Sequence, residues 1–190
     1  MMDTMSFSIK LVLPKTRQPD GINSEPPDEA LDELIDDDIT RPSFLVNTCR
    51  CFAEKGVRFE LAGLFAEPLP VTVRIDLPYL LEQLPAVVEF FLDPSTTEFN
   101  LSLWGQGIET EFSFLKRDAD KMIQITGRSS IDRPMRNKAE LISRDEFVDQ
   151  IVAFVEAYNL AVSQYLPNLA NHPWNQRLLI ESYRLKAAAE

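Results

Sequence analysis

The side chains able to do chemistry in this sequence are few, and their spacing decides most of what they can do. There is one histidine, His172, directly before a proline. An imidazole-based triad or a histidine-rich metal site would have to be built on that single ring, and no serine or cysteine sits in a Gly-x-Ser-x-Gly elbow. A structural role is expected for it. The two cysteines, Cys49 and Cys51, are separated by one residue, too close for an ordinary structural disulfide. On a strand both thiols would face one way and offer a soft metal two ligands, whereas zinc asks for four and no second cysteine pair is present. They are read as small buried hydrophobes. No metal or other cofactor is expected.

Glu109 and Glu111 are the one pair of acids whose spacing suggests catalysis. On one face of a strand they lie about 6.6 Å apart by strand rise, near the separation of the paired carboxylates that hydrolyse glycosides, and Trp104 lies close by in sequence. Alternation of these acids with Phe112 and Phe114 is also what a half-solvated strand shows. No catalytic residues are therefore assigned, and the chain is read as a non-enzyme. Gly105-Gln106-Gly107 makes a hairpin turn and not a phosphate-binding loop, because it enters a strand and not a helix.

The remaining feature is electrostatic. The chain has 30 acids and 19 bases, net -11, a balance that repels polyphosphates and attracts basic partners. Nucleic acid is excluded as the expected partner. Residues 18 to 40 carry nine acids (Asp20, Glu25, Asp28, Glu29, Asp32, Glu33, Asp36, Asp37 and Asp38) and no base. Calcium-loop spacing with its closing glutamate is missing there. The segment either serves as a solvated loop or steers a basic partner. On the second reading Asp32, Glu33, Asp36, Asp37 and Asp38, together with Glu109 and Glu111, form the partner-binding set, and charge reversal at Asp36, Asp37 and Asp38 slows association.

These groups need elements to hold them. At 190 residues and 45% hydrophobic composition, one α+β domain spanning residues 1–190 is expected, with 15–40 as a mobile acidic segment. No window of about 18 uncharged apolar residues is present, so no membrane span is expected. The opening residues lack the pattern of a secretory signal, and a cytoplasmic location is expected. Period-2 alternation predicts strands over Ser6 to Pro14, Phe44 to Phe52, Val57 to Phe65 and Val71 to Ile75, with Lys55-Gly56 as a hairpin turn. A three-strand meander follows over Phe99 to Trp104, Ile108 to Leu115 and Lys121 to Thr126, with one face buried and one wet. The polar, basic stretch Arg128 to Lys138 reads as a surface loop. Helices are predicted from Asp76, as cap, to about Leu92, from the capping box Ser143-Arg144-Asp145-Glu146 to about Leu166, and from Pro173 onward. Together these predict an antiparallel meander sheet of about six or seven strands with two or three packed helices, including a long C-terminal helix.

The run Phe59-Glu60-Leu61-Ala62-Gly63, the segment Pro70 to Pro78, Trp104 to Glu109 leading into Phe112-Ser113-Phe114, and the helix start Ser143 to Phe147 together resemble small bacterial immunity proteins of polymorphic toxin systems. The resemblance covers roughly residues 56 to 166. It implies a protein that binds a cognate toxin domain and occludes the active site, usually without catalysis, and the acidic side chains suit a toxin with a basic active-site rim. The alternatives are a chaperone or adaptor for a secreted effector, and a carboxylate-dependent hydrolase built on Glu109 and Glu111.

Overall fold

The computed structural model describes residues 7–15, 41–103, 109–117, 121–130, 134 and 138–188, with the side chains of residues 41 and 42 excepted. The acidic segment, including Asp32, Glu33, Asp36, Asp37 and Asp38, lies outside the described residues, as does Trp104.

Among the described residues the architecture is α+β, with four helices and two antiparallel sheets. It is not the single meander of six or seven strands that alternation predicts. β1 (Ser8–Val12) pairs with β2 (Arg58–Ala62), placing Ile9 opposite Leu61. β3 (Glu98–Leu103), β4 (Thr110–Arg117), β5 (Met122–Ser129) and β6 (Glu140–Ser143) form the second sheet in chain order. The predicted meander is thus present, extended by β6 and by a β5 that runs on into Arg128 and Ser129.

Two predicted strands are something else. Phe44 to Phe52 lies inside helix α1 (Arg41–Glu54). Its buried residues Phe44, Leu45, Thr48, Cys49 and Phe52 recur at three-to-four-residue intervals, a helical stripe that the aromatic and branched content disguises. Lys55-Gly56 is not a hairpin turn but the end of α1. Gly56 takes a φ of +78°, its N–H donates to the Ala53 carbonyl, and the Val57 N–H donates to the Phe52 carbonyl, which is a Schellman motif. Val71 to Ile75 forms no strand either. The Asp76 carboxylate turns back and accepts from the Thr72 N–H at 2.6 Å and from the Thr72 hydroxyl at 3.1 Å, bending the chain into helix α2 (Asp76–Leu92). Local side-chain bonding outcompetes the ladder. Asp76 is accordingly the first residue of the helix and not its cap, which is Ile75.

Helix α3 (Arg144–Tyr165) starts as its sequence dictates, with the Ser143 hydroxyl accepting from the Glu146 N–H at 3.1 Å. Pro167 opens a short 3-10 turn, and α4 (Pro173–Ala187) closes the fold. Between α3 and α4 a buried polar chain runs from the Tyr158 hydroxyl to Asn175 Oδ1 at 2.9 Å, and from Asn175 Nδ2 to the Leu169 carbonyl at 2.7 Å.

The two sheets meet through Phe7. Its ring lies 5.5 Å from Phe112, 5.6 Å from Phe114 and 6.0 Å from Phe147 between centroids. The backbone at Phe7 passes so close to Gly63 that a Cβ there would stand 2.5 Å from the Phe7 Cα. With φ at +111° as well, that position admits only glycine. The outer edge of β1 is then closed by side chains. Glu140 accepts from the Phe7 N–H at 2.8 Å and from the Leu64 N–H at 2.9 Å. Gln150 donates to the Phe7 carbonyl at 3.1 Å and accepts from the Ile9 N–H at 3.3 Å.

Candidate functional site

In the four-stranded sheet, period-2 alternation sends Leu101, Leu103, Phe112, Phe114, Ile123 and Ile125 into the core, all buried. The opposite face is wet. Register places its side chains in rows that cross the strands: Ser102, Glu111 and Arg128; Asn100, Ser113 and Thr126; Glu98, Leu115, Gln124 and Leu141. The residues of these rows are exposed or half-exposed.

The first row is an ion-paired strip. Arg128 Nη2 lies 2.8 Å from Glu111 Oε1, with the arginine side chain 79% exposed and the glutamate 17%, and the Ser102 hydroxyl donates to Glu111 at 3.4 Å. The third row is apolar at two places. Leu115 is 39% exposed and Leu141 55% exposed, with Gln124 between them in register. Two leucines on a polar face of an otherwise alternating sheet are what a docking surface needs: apolar anchors within a hydrogen-bonding surround.

Among the described residues, the side chains singled out from the sequence do not assemble into one centre. Glu109 does not share a strand face with Glu111, because β4 begins at Thr110 and Glu109 has a left-handed φ of +37°, which breaks the period-2 relation. Its carboxylate accepts instead from the Ser130 hydroxyl, and its carbonyl accepts from the Ser130 N–H at 3.1 Å. Glu111 lies on the wet face and is committed to Arg128. The cysteines sit on a helix and not a strand, about 200° apart by helical rotation. Cys49 is buried, and burial pushes its thiol well above the ordinary range. Cys51 is half-buried and also raised, by burial first, with Lys55 opposing and Glu54 adding. Among the described residues no group of three or more His, Cys, Asp or Glu side chains could hold a metal ion. His172 caps α4, its Nδ1 accepting from the Trp174 N–H at 3.3 Å, and its ring stacks on Phe44 at 4.3 Å.

Concave regions also lie between the helices. A groove of about 280 Å³ between α1 and the start of α2 is lined by Val46, Ile75, Pro78 and Tyr79, with Arg74 and Glu82 at its rim. A polar cleft of about 620 Å³ between α2 and α4 brings Glu82, Glu89 and Glu181 beside Arg177 and Arg184.

Sequence reasoning missed Arg128, placed in a loop, and the two exposed leucines. A signal for Leu115 is present in the sequence: it falls on the parity of Glu111 and Ser113, where the alternation calls for a polar residue. Leu141 carries no such signal, since β6 is four residues long. Among the described residues no helix is long and apolar enough to cross a membrane. Compared with family models, with curated proteins and with solved structures, the chain has no match.

Proposed function

We propose that this chain is an immunity-type inhibitor, a protein that binds a cognate bacterial toxin domain and neutralises it by occluding the active site. The observation that carries the reading is the wet face of β3 to β6, where exposed Leu115 and Leu141 flank Gln124 and the polar row Asn100, Ser113 and Thr126 separates them from Ser102, Glu111 and Arg128. A sheet face of this kind is a rigid platform, so binding costs little ordering. The net charge of -11 adds long-range attraction toward a toxin whose active-site rim is basic. Glu111 contributes little unpaired charge, because Arg128 already answers it. Recognition at the face is therefore apolar and hydrogen-bonded, and the charge acts on the approach.

The test is co-expression with the toxin domain encoded beside this gene. The wild-type chain restores growth. The double variant Leu115→Arg, Leu141→Arg melts within a few degrees of the parent, since exposed positions are within about 0.5 kcal/mol, yet loses protection and binds at least about a hundredfold more weakly. Full protection by that variant removes the face from the interface. A neighbouring secretion-apparatus gene in place of a growth-arresting toxin points instead to the adaptor reading.

A further inference from the structure

The outer edge of β3 is closed at one residue and open at the next two. Gln83 on α2 donates to the Ser102 carbonyl at 2.9 Å and accepts from the Ser102 N–H at 2.9 Å. The Ser102 backbone therefore points away from β4. On the other side, the Lys116 N–H donates to the Thr97 carbonyl at 2.9 Å, so odd-numbered residues of β3 face the ladder and even-numbered ones face outward. Glu98 and Asn100 thus present their N–H and C=O groups at the edge, and both residues are exposed. Gln83 occupies the place of one residue of a missing fifth strand.

We propose that the β3 edge at Glu98 and Asn100 is a strand-addition site for a basic extended segment of a partner protein. Main-chain bonds to these two residues supply the docking, and the side chains supply the selectivity. An added strand continues the existing rows, so its residue opposite Glu98 lies against a carboxylate that has no ion-pair partner among the described residues, and a lysine or arginine there completes the row. The intervening residue points to the other face, toward half-buried Phe99, and is aliphatic. A second copy of β3 is the poorer occupant. Antiparallel pairing about Asn100 would set Glu98 of each copy opposite Ser102 of the other, whose outward N–H and C=O are already taken by Gln83.

The proposal deepens the partner-binding reading and takes from it the kind of partner, but its test needs no toxin. The probe is a soluble synthetic peptide of alternating lysine and valine, titrated into the isotope-labelled full chain and followed by NMR. The amides of Glu98 and Asn100 shift, and their hydrogen exchange slows about tenfold or more, while those of Phe99 and Leu101, already in the ladder, change little. A glutamate and valine peptide gives neither effect. Asn100→Pro removes an outward N–H at an edge, where proline is tolerated, and abolishes binding, whereas Asn100→Ala retains it. Unchanged exchange at Glu98 and Asn100 overturns the proposal, whatever becomes of the toxin assay, and so does self-association of the chain through this edge. The exchange measurement on the wild-type chain stands even if Asn100→Pro does not fold.

Discussion

β1 and β3 are both edge strands, and they are closed to different extents. β1 receives two side chains from elements more than 130 residues away, Glu140 and Gln150, which satisfy the N–H and carbonyl of Phe7 and the N–H of Ile9. β3 receives one, Gln83, from the adjacent helix, and it satisfies Ser102 alone. In both cases a glutamine amide acts as a peptide group without a strand, since it carries a donor and an acceptor side by side. A two-stranded sheet is marginal on its own, so β1 and β2 need the bracing by Glu140 and Gln150 and the aromatic packing around Phe7. The four-stranded sheet is held by its own ladders and can leave part of an edge and a whole face to solvent. The better-braced sheet is the one with surface to spare.

The largest effect expected from breaking this contrast is at Glu140. Glu140→Ala leaves the N–H groups of Phe7 and Leu64 without their acceptor, and two charge-assisted bonds are together worth about 3 kcal/mol or more. Denaturant unfolding should register that loss, with exchange accelerating first at Phe7 and Leu64. A loss below about 1 kcal/mol would mean that β1 does not depend on side-chain closure. Gln83→Ala comes next. The Ser102 groups it releases are taken up by water, so the cost is about 1 kcal/mol, and exchange at Ser102 rises to match that at Asn100. If Ser102 stays protected, the edge is closed by something other than Gln83.

The smallest effect sharpens the comparison from the opposite side. Asp76, unlike Glu140, has one oxygen, Oδ1, buried with no hydrogen-bond partner. Burial raises its carboxyl above the usual range, although the bonds from Thr72 pull it down. A raised value in the folded state means that the folded chain holds the proton more tightly than the unfolded one. The stability this contributes is present below the ordinary carboxylate pKa, about 4, and is lost as pH rises through the folded value. Asp76→Asn removes that dependence, so its stability relative to the parent should improve between acid and neutral pH. A constant difference across that range would show that the carboxylate titrates as it does in the unfolded chain.

Features governed by near neighbours were legible in the sequence. The meander followed from the alternation at Phe112 and Phe114, and the start of α3 from Ser143 and Glu146. Local signals also misled where two mechanisms share residues: Lys55-Gly56 suits a hairpin turn and a Schellman motif equally, and only the helical spacing of Phe44, Thr48 and Phe52 decides between them. Glu140, Gln150 and Gln83 were illegible because nothing in their surroundings tells a side chain that closes a strand edge from one that points into solvent. The same holds for the candidate site. The exposed face was anticipated as a wet face, but not the arrangement on it, since Glu109 lies off the strand and Glu111 pairs with an arginine assigned to a loop.

The reach of Glu140 also orders events in time. Phe7 and its acceptor are separated by 133 residues, and contacts at such separation form late, because a long loop must close first. During synthesis β1 leaves the ribosome before β2, and its closing partners on β6 and α3 follow only after the meander. For most of that interval β1 is paired on its β2 side alone, and its outward groups at Phe7 and Ile9 lack their closing side chains, an open edge of the kind that aggregates when folding stalls. Slowing translation at the meander, which prolongs that interval, should therefore cost more soluble protein than slowing it after Gln150 has emerged.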